Sequence, residues 1–489
     1  MNAYLDLMGF ARQTEALAQI SGRLGWDQQT VMPRGSNAQR SEEMAAIEEV
    51  LHARRTDPRL GEWLEAAEAP DETAAANLRE LRRAYARNTK VPARLAAELA
   101  RITPLAQSAW EEARAAGHVP DFLPWLKQMI ALRREEGQAI AAGGDPYDAL
   151  MADYEPETDS AAVADTFARM RPRLVALRDA ILGADTPPAL TGHFPRDGQM
   201  RLSRDLAQRF GYDLTRGRID LAVHPFSSGS GQDVRITTRV AEDDPFNCLY
   251  STLHEVGHGA YEQGVDAAHL LTPIGCGASM GVHESQSRIY ENQIGRSRAF
   301  CHWLYSAMVQ EFGPLSLPDA DSFYASANRV TRGYIRTETD EVQYNLHIML
   351  RFDLERALIS GSLAPEDLEE AWNTRFEADF GYPVDKPANG VLQDVHWAVG
   401  LFGYFPTYAL GNLYAGCLYQ ALRRDLPDLD THLGAGNPGP ATEWLRERLH
   451  CFGALRAPRA TIRAACGTEP SAEPLLDYLE AKFRALYRL

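Results

Sequence analysis

Apolar residues recur at three- and four-residue spacing through most of the first 200 positions. The pattern predicts amphipathic helices from about Asn37 to Arg55, Glu72 to Arg87, Pro92 to Ala116 and Phe122 to Ala142. Ala, Leu, Glu and Arg, all good helix formers, fill these stretches. Breaks with Pro or Gly separate them: MPRGSN (32–37), KVP (90–92), GHVP (117–120) and GGDP (143–146). A further helix is predicted from about Ser160 to Leu182, followed by an interruption over 186–199, TPPALTGHFPRDGQ. Near residue 214 the pattern changes to β-branched residues, glycines and short alternating runs. VRITTRV (234–240) is the best strand candidate. After Asp243 the helical pattern returns and is expected to last to Leu489, with breaks at GAGNPGP (434–440) and GTEP (467–470). The reading is a mainly α body with a small β insert near its middle.

Length alone, 489 residues, allows about three domains. No linker is long and polar enough to mark a boundary, and no internal repeat occurs, so one continuous domain over 1–489 is expected. The chain carries 50 Lys+Arg against 67 Asp+Glu, a net charge of −17. That balance argues against nucleic acid, which asks for a concentrated basic stripe, and against an anionic membrane surface. It leaves room for a small local basic pocket. The N-terminus lacks the basic and apolar regions of a signal peptide, and no apolar run approaches the ~18 residues of a membrane span. Six cysteines without CxxC pairing read as reduced thiols in a cytoplasmic chain.

The string LHEVGHGAYEQG (253–264) changes the picture most. His254, Glu255 and His258 form H-E-x-x-H. On a helix, positions i and i+4 lie on one face, so two imidazoles can hold one metal ion. Glu255 projects beside that ion, where a carboxylate can take a proton from activated water. Zinc held by two His and one carboxylate keeps a position open for that water. Gly257 and Gly259 weaken the helix without a local reason and would let another segment approach closely.

A third ligand is required. A further histidine at position 264 is excluded, because that residue is Gly264. Glu262 lies a turn beyond His258 and would overshoot the ion, so it is read as a group behind the ligands or facing solvent. Glu284 in GVHESQSRIYENQ (281–293) is the better choice: 25 residues separate it from His258, enough for a loop and the start of a second helix. Glu291, seven residues on, shares that face and is expected either to orient a ligand histidine or to form an ordinary salt bridge.

HEVGH together with HESQS resembles the M32 family of metallocarboxypeptidases, the thermostable carboxypeptidase group. HPF (224–226), DVRIT (233–237), IRTETD (335–340) and GVLQDVHW (390–397) match further signatures of that family in order. WDQQTVMP (26–33) and YDALMADYEP (147–156) look like its N-terminal segments. Thr339 stands where the family usually has alanine, a mild departure. The resemblance implies a gluzincin, neurolysin-like helical fold: two lobes around a deep cleft, a small β-sheet at the cleft edge, and a zinc-binding core over about 214–410. It also implies a homodimer, one Zn2+ per chain (Co2+ or Mn2+ as substitutes) on His254, His258 and Glu284, and Glu255 as general base. The activity it implies is removal of single residues from peptide C-termini with broad specificity.

A carboxypeptidase must recognise a terminal carboxylate, and a guanidinium fork suits one. Arg336 is the first choice; otherwise it pairs locally with Glu338, Asp340 or Glu341. Arg235 is the alternative. Asp233, Arg235 and Thr237 share a strand face by the two-residue period, either as an edge for an extended peptide or as a salt-bridge ladder. The tetrahedral intermediate needs a hydrogen-bond donor, and His396, Tyr404 and Tyr408 are candidates. His224 either lines the cleft or is structural, and His347 carries no role. Two other functions stay open: an endo-acting zinc oligopeptidase on the same scaffold, and a non-catalytic peptide-binding protein.

Overall fold

Helix starts and stops follow the punctuation in the chain. The computed structural model describes residues 2–489. Helices occupy Asn37–Arg55, Glu72–Lys90, Ala93–Ala116, Val119–Ala141 and Ser160–Leu182. The Asp159 carboxylate accepts from Ala162 N at the start of the last of these, satisfying a donor that the first turn leaves orphaned. Gly117, at φ +67°, closes Ala93–Ala116 in the left-handed conformation that suits glycine.

Two expectations are corrected. The interruption predicted over 186–199 ends early, because Arg196–Arg209 is helical directly after Pro195. The helical pattern after Asp243 is also interrupted away from the two expected breaks. Residues 381–405, which contain GVLQDVHW, hold only one 3-10 turn, Pro387–Asn389. Gly381 (φ +75°) ends the helix Leu368–Phe380, and Gly400 and Gly403 adopt φ of +76° and +84° within the segment. Gly403 is also packed tightly: a Cβ there would stand 2.7 Å from Met151 N. The IRTETD motif likewise forms a 3-10 turn, Arg336–Glu338, outside any long helix.

The β insert is a three-stranded sheet of β1 (Ile219–Leu221), β2 (Ser227–Ser228) and β3 (Arg235–Thr238) in the order β1-β3-β2. β1 pairs parallel to β3, with Ile219 opposite Ile236. β2 pairs antiparallel, with Ser228 opposite Arg235. Val234 and Ile236 are fully buried on one side.

The chain divides into two compact units. The first comprises Met1–Thr89, Pro187–Asn328 and Tyr414–Pro470; the second comprises Lys90–Thr186, Arg329–Leu413 and Ser471–Leu489. Each has its own apolar core. Leu7, Leu60, Leu64 and Leu78 cluster in the first. In the second, Phe352 packs edge-on against Tyr147 and Phe167. Among the described residues, no helix is long and apolar enough to cross a membrane.

Candidate metal centre

The H-E-x-x-H residues lie on the helix Pro245–Gly264 in the first unit. Asp244 caps it by accepting from Asn247 N, and Pro245 opens its first turn. The helix is buried on nearly every side, so its polar face looks onto protein rather than bulk water. The following helix, Met280–Arg288, starts at Ser279, whose hydroxyl accepts from Val282 N. Gly257 explains how close the two helices come. A Cβ at this position would stand 2.4 Å from Gln286 O and 2.6 Å from Ser287 Cα, so only glycine admits the backbone that carries Glu284. Gly259 does the same for the Tyr212 ring and Ile236 of β3.

His254, His258 and Glu284 each offer a ligand atom to one point. Glu284 Oε2 is 3.8 Å from His254 Nε2 and 3.6 Å from His258 Nε2. Ligands of a tetrahedral zinc with bonds of about 2.0–2.2 Å stand about 3.3–3.6 Å apart, so both carboxylate–imidazole separations match the ion to within a few tenths of an ångström, and all three atoms lie within 4.8 Å of one another. The other ring nitrogens are spoken for. His254 Nδ1 lies 3.0 Å from Glu291 Oε2, and His258 Nδ1 lies 2.8 Å from His283 Nδ1. Glu291 sits in a π-helical turn, Ile289–Ile294, that continues the Glu284 helix and re-aims its face.

Charge is arranged around these atoms. Burial opposes the ionised form of Glu284, but Arg288 and His254 overcome it and hold the carboxyl far below its usual range. Glu291 is held down to about 2 against burial, by the His254 bond and by Arg288. Burial pushes His258 down to about 4, which leaves a neutral imidazole suited to metal binding. Glu255 makes none of these pairings, and burial pushes it up to about 7. A carboxyl near 7 can both take and return a proton at neutral pH.

The remaining predicted residues fall into two groups. Asp233 and Arg235 bind each other: Arg235 Nε and Nη2 donate to the two Asp233 oxygens at 2.8 and 3.0 Å. Arg235 also stacks over Trp26, and Arg23 approaches Asp233 at 3.5 Å. In the second unit, Arg336 is buried, and its Nε and Nη2 donate to Asp394 Oδ1 at 3.1 and 2.8 Å. Its Nη1 donates to the Tyr344 hydroxyl. Arg351, also buried, donates to the other Asp394 oxygen at 2.7 Å. His396 stacks on Phe405, and its Nε2 lies 3.2 Å from the Tyr408 hydroxyl. Burial drives His396 down to about 3, so it is neutral. Tyr404 packs edge-on against Tyr154.

Three groups escaped the sequence reading. His283 stands behind His258, with its Nε2 2.6 Å from Glu262 Oε1; Glu262 is buried, so of the two places expected for it the one behind the ligands is found and the solvent-facing one is not. Arg351 and Asp394 flank Arg336, and Asp394 takes the place of the local partners considered. Asp340 instead caps the helix Gln343–Ser360, and Glu341 pairs with Lys482. Asp394 stood inside the GVLQDVHW signature and His283 opens HESQS, and those strings were the available signals.

The sequence profile described as Carboxypeptidase Taq (M32) metallopeptidase matches residues 6–483. Thermostable carboxypeptidase 1 of Thermus thermophilus is 43% identical, with 99% of both chains covered. Carboxypeptidase 1 of Bacillus subtilis is 35% identical, over 99% of this chain and 98% of the relative. The crystal structure of an M32 carboxypeptidase from Deinococcus radiodurans R1 superposes with a TM-score of 0.96 at 36% identity, covering 100% of both chains. Matched from end to end, the chain belongs to the carboxypeptidase Taq (M32) family and is a metallocarboxypeptidase.

Proposed function

We propose that the metal is zinc, that His254, His258 and Glu284 hold it, and that Glu255 is the general base for stepwise removal of C-terminal residues with broad specificity. The observation that carries this reading is the convergence of two Nε2 atoms and one carboxylate oxygen while both Nδ1 atoms are occupied elsewhere. When bound, such an ion polarises the scissile carbonyl and acidifies water. Glu255 accepts the proton that the attacking water loses and passes it to the leaving amine. Burial suits it to the first task, because it makes the carboxylate a better proton acceptor than an exposed one.

Arg336 is proposed to take the terminal carboxylate. Both candidate arginines already touch a carboxylate, but Arg235 has Asp233 largely to itself, whereas Arg336 shares Asp394 with Arg351. Arg23 also approaches Asp233 but is 42% exposed and so screened by solvent, whereas two buried guanidiniums on one carboxylate leave a positive charge unmatched, and that favours Arg336 over Arg235. Asp233 and Arg235 are then proposed to line the path of the extended peptide. His396, Tyr404 and Tyr408 are proposed as hydrogen-bond donors to the carbonyl oxygen, with His396 and Tyr408 acting as a pair. The residues from 1 to 489 are proposed to work as one metallopeptidase domain. A homodimeric state is proposed on family resemblance, and a cytoplasmic location on the cysteine pattern.

A defined peptide, incubated with the enzyme and followed by mass spectrometry, tests the reading. Stepwise loss of single C-terminal residues is expected, stopped by chelator and restored by Zn2+. Amidating the C-terminus is expected to abolish it. Internal cleavage of the amidated peptide would replace the reading with an endo-acting oligopeptidase.

A further inference from the structure

His258 can bind a metal through Nε2 only if that nitrogen carries no hydrogen, so its hydrogen sits on Nδ1. The atom facing it, His283 Nδ1 at 2.8 Å, must therefore accept. The His283 hydrogen then sits on Nε2 and is donated to Glu262 Oε1 at 2.6 Å. The same carboxylate oxygen accepts from Gly277 N at 2.9 Å, which fixes it in place. Every hydrogen in the chain Glu262, His283, His258 is thus assigned from the network, and every bond points toward the carboxylate.

The surroundings hold this geometry. The His283 ring packs on the Tyr261 ring at 5.0 Å and on the His258 ring at 5.0 Å. On its remaining side lies Gly277, where a Cβ would stand 2.5 Å from His283 Cδ2. Any side chain at 277 would push the imidazole off its line. Tyr261 is tied to the same loop by accepting from Ala278 N.

We infer that His283, anchored by Glu262, is a positioning residue that fixes the tautomer and ring plane of His258. The two ligand histidines are therefore supported differently. His254 rests directly on the Glu291 carboxylate, whereas His258 reaches its carboxylate only through a second imidazole. The interposed ring passes on orientation and part of the negative field while keeping a carboxylate out of direct contact with His258 Nδ1. The inference rests on the metal reading proposed above.

Asparagine and glutamine separate the two ends of the relay. The Asn oxygen stands at the same bond count as His Nδ1 and can accept from His258. The Gln amide stands at that of Nε2 and can serve Glu262 but not His258. Zinc dissociation constants, measured by chelator competition on the full chain, are expected to weaken 10- to 100-fold in His283→Leu and His283→Gln. His283→Asn is expected to recover most of the loss. Glu262→Gln is expected to weaken binding about tenfold and carries the test should His283→Leu fail to fold. Apo-protein unfolding midpoints are measured alongside, because a merely structural role would lower these and leave zinc affinity alone. Zinc affinity in His283→Leu within twofold of the unsubstituted chain, or equal affinities in the Asn and Gln variants, would overturn the inference. If His258→Ala also leaves zinc affinity unchanged, the ligand assignment fails instead.

Discussion

Around the motif helix, the carboxyl groups of Glu255, Glu262, Glu284 and Glu291 meet two arginines, Arg288 and Arg296. Around Arg336 the balance is reversed: two buried arginines share the single carboxylate of Asp394. The next carboxyl along, Glu355, is occupied by Tyr147, Trp397 and Gly403 N and is pushed up to about 7 by burial. Unmatched buried charge is costly, so a fold keeps it only where an opposite charge arrives or where it does a job. In the proposed reading the first region takes the metal cation and the second the terminal carboxylate of the substrate. A metallopeptidase that works from the carboxyl end of its substrate needs both.

The contrast is broken most severely at Glu255. Glu255→Gln removes the proton acceptor but none of the proposed ligands. Turnover is expected to fall by about 10²–10⁴-fold with zinc stoichiometry intact, read by kinetics and metal analysis. Turnover within tenfold of the unsubstituted enzyme would mean that burial alone, not catalysis, explains its raised pKa.

On the cationic side, Arg336→Met leaves Asp394 paired with Arg351, so no buried carboxylate is stranded. A lost bond to a charged partner is worth about 1.5–3 kcal/mol, so kcat/KM for free-carboxylate peptides is expected to drop about 10- to 100-fold with metal content unchanged. Unaltered kcat/KM would move the role to Arg235.

The smallest effect sharpens the charge count itself. Glu355 is raised from 4.5 to about 7, so the folded chain holds this proton in a range where the unfolded chain has lost it. Stability from this group is fully present below about pH 4.5 and is lost as pH rises from there through 7, by roughly 3 kcal/mol in total. Denaturant midpoints from pH 5 to 8 are expected to fall more steeply in the unsubstituted chain than in Glu355→Gln. Equal slopes would mean that Glu355 is ionised and balances the second arginine.

The two regions also differ in how far the sequence revealed them. His254, Glu255 and His258 were legible because one helical turn brings i and i+4 together whatever the rest of the chain does. The strand at VRITTRV was legible for the same local reason. Arg336 invited partners two to five residues away, but its turn is too short to present them, and Asp394, 58 positions on, supplies the carboxylate. His283 was passed over although it adjoins Glu284, because only the packing of Tyr261 and Gly277 aims its ring at His258. Residues 381–405 carry enough apolar residues to look helical, yet their glycines and prolines hold an irregular path.

Gly257 meets Gln286 and Ser287 main chain to main chain. The spacing between the two helices that carry the proposed ligands is therefore set by atoms that every amino acid shares. Neighbouring side chains can drift over evolutionary time without changing the gauge of the site. The limit on that tolerance lies at 257, where a single methyl group would press the two backbones apart.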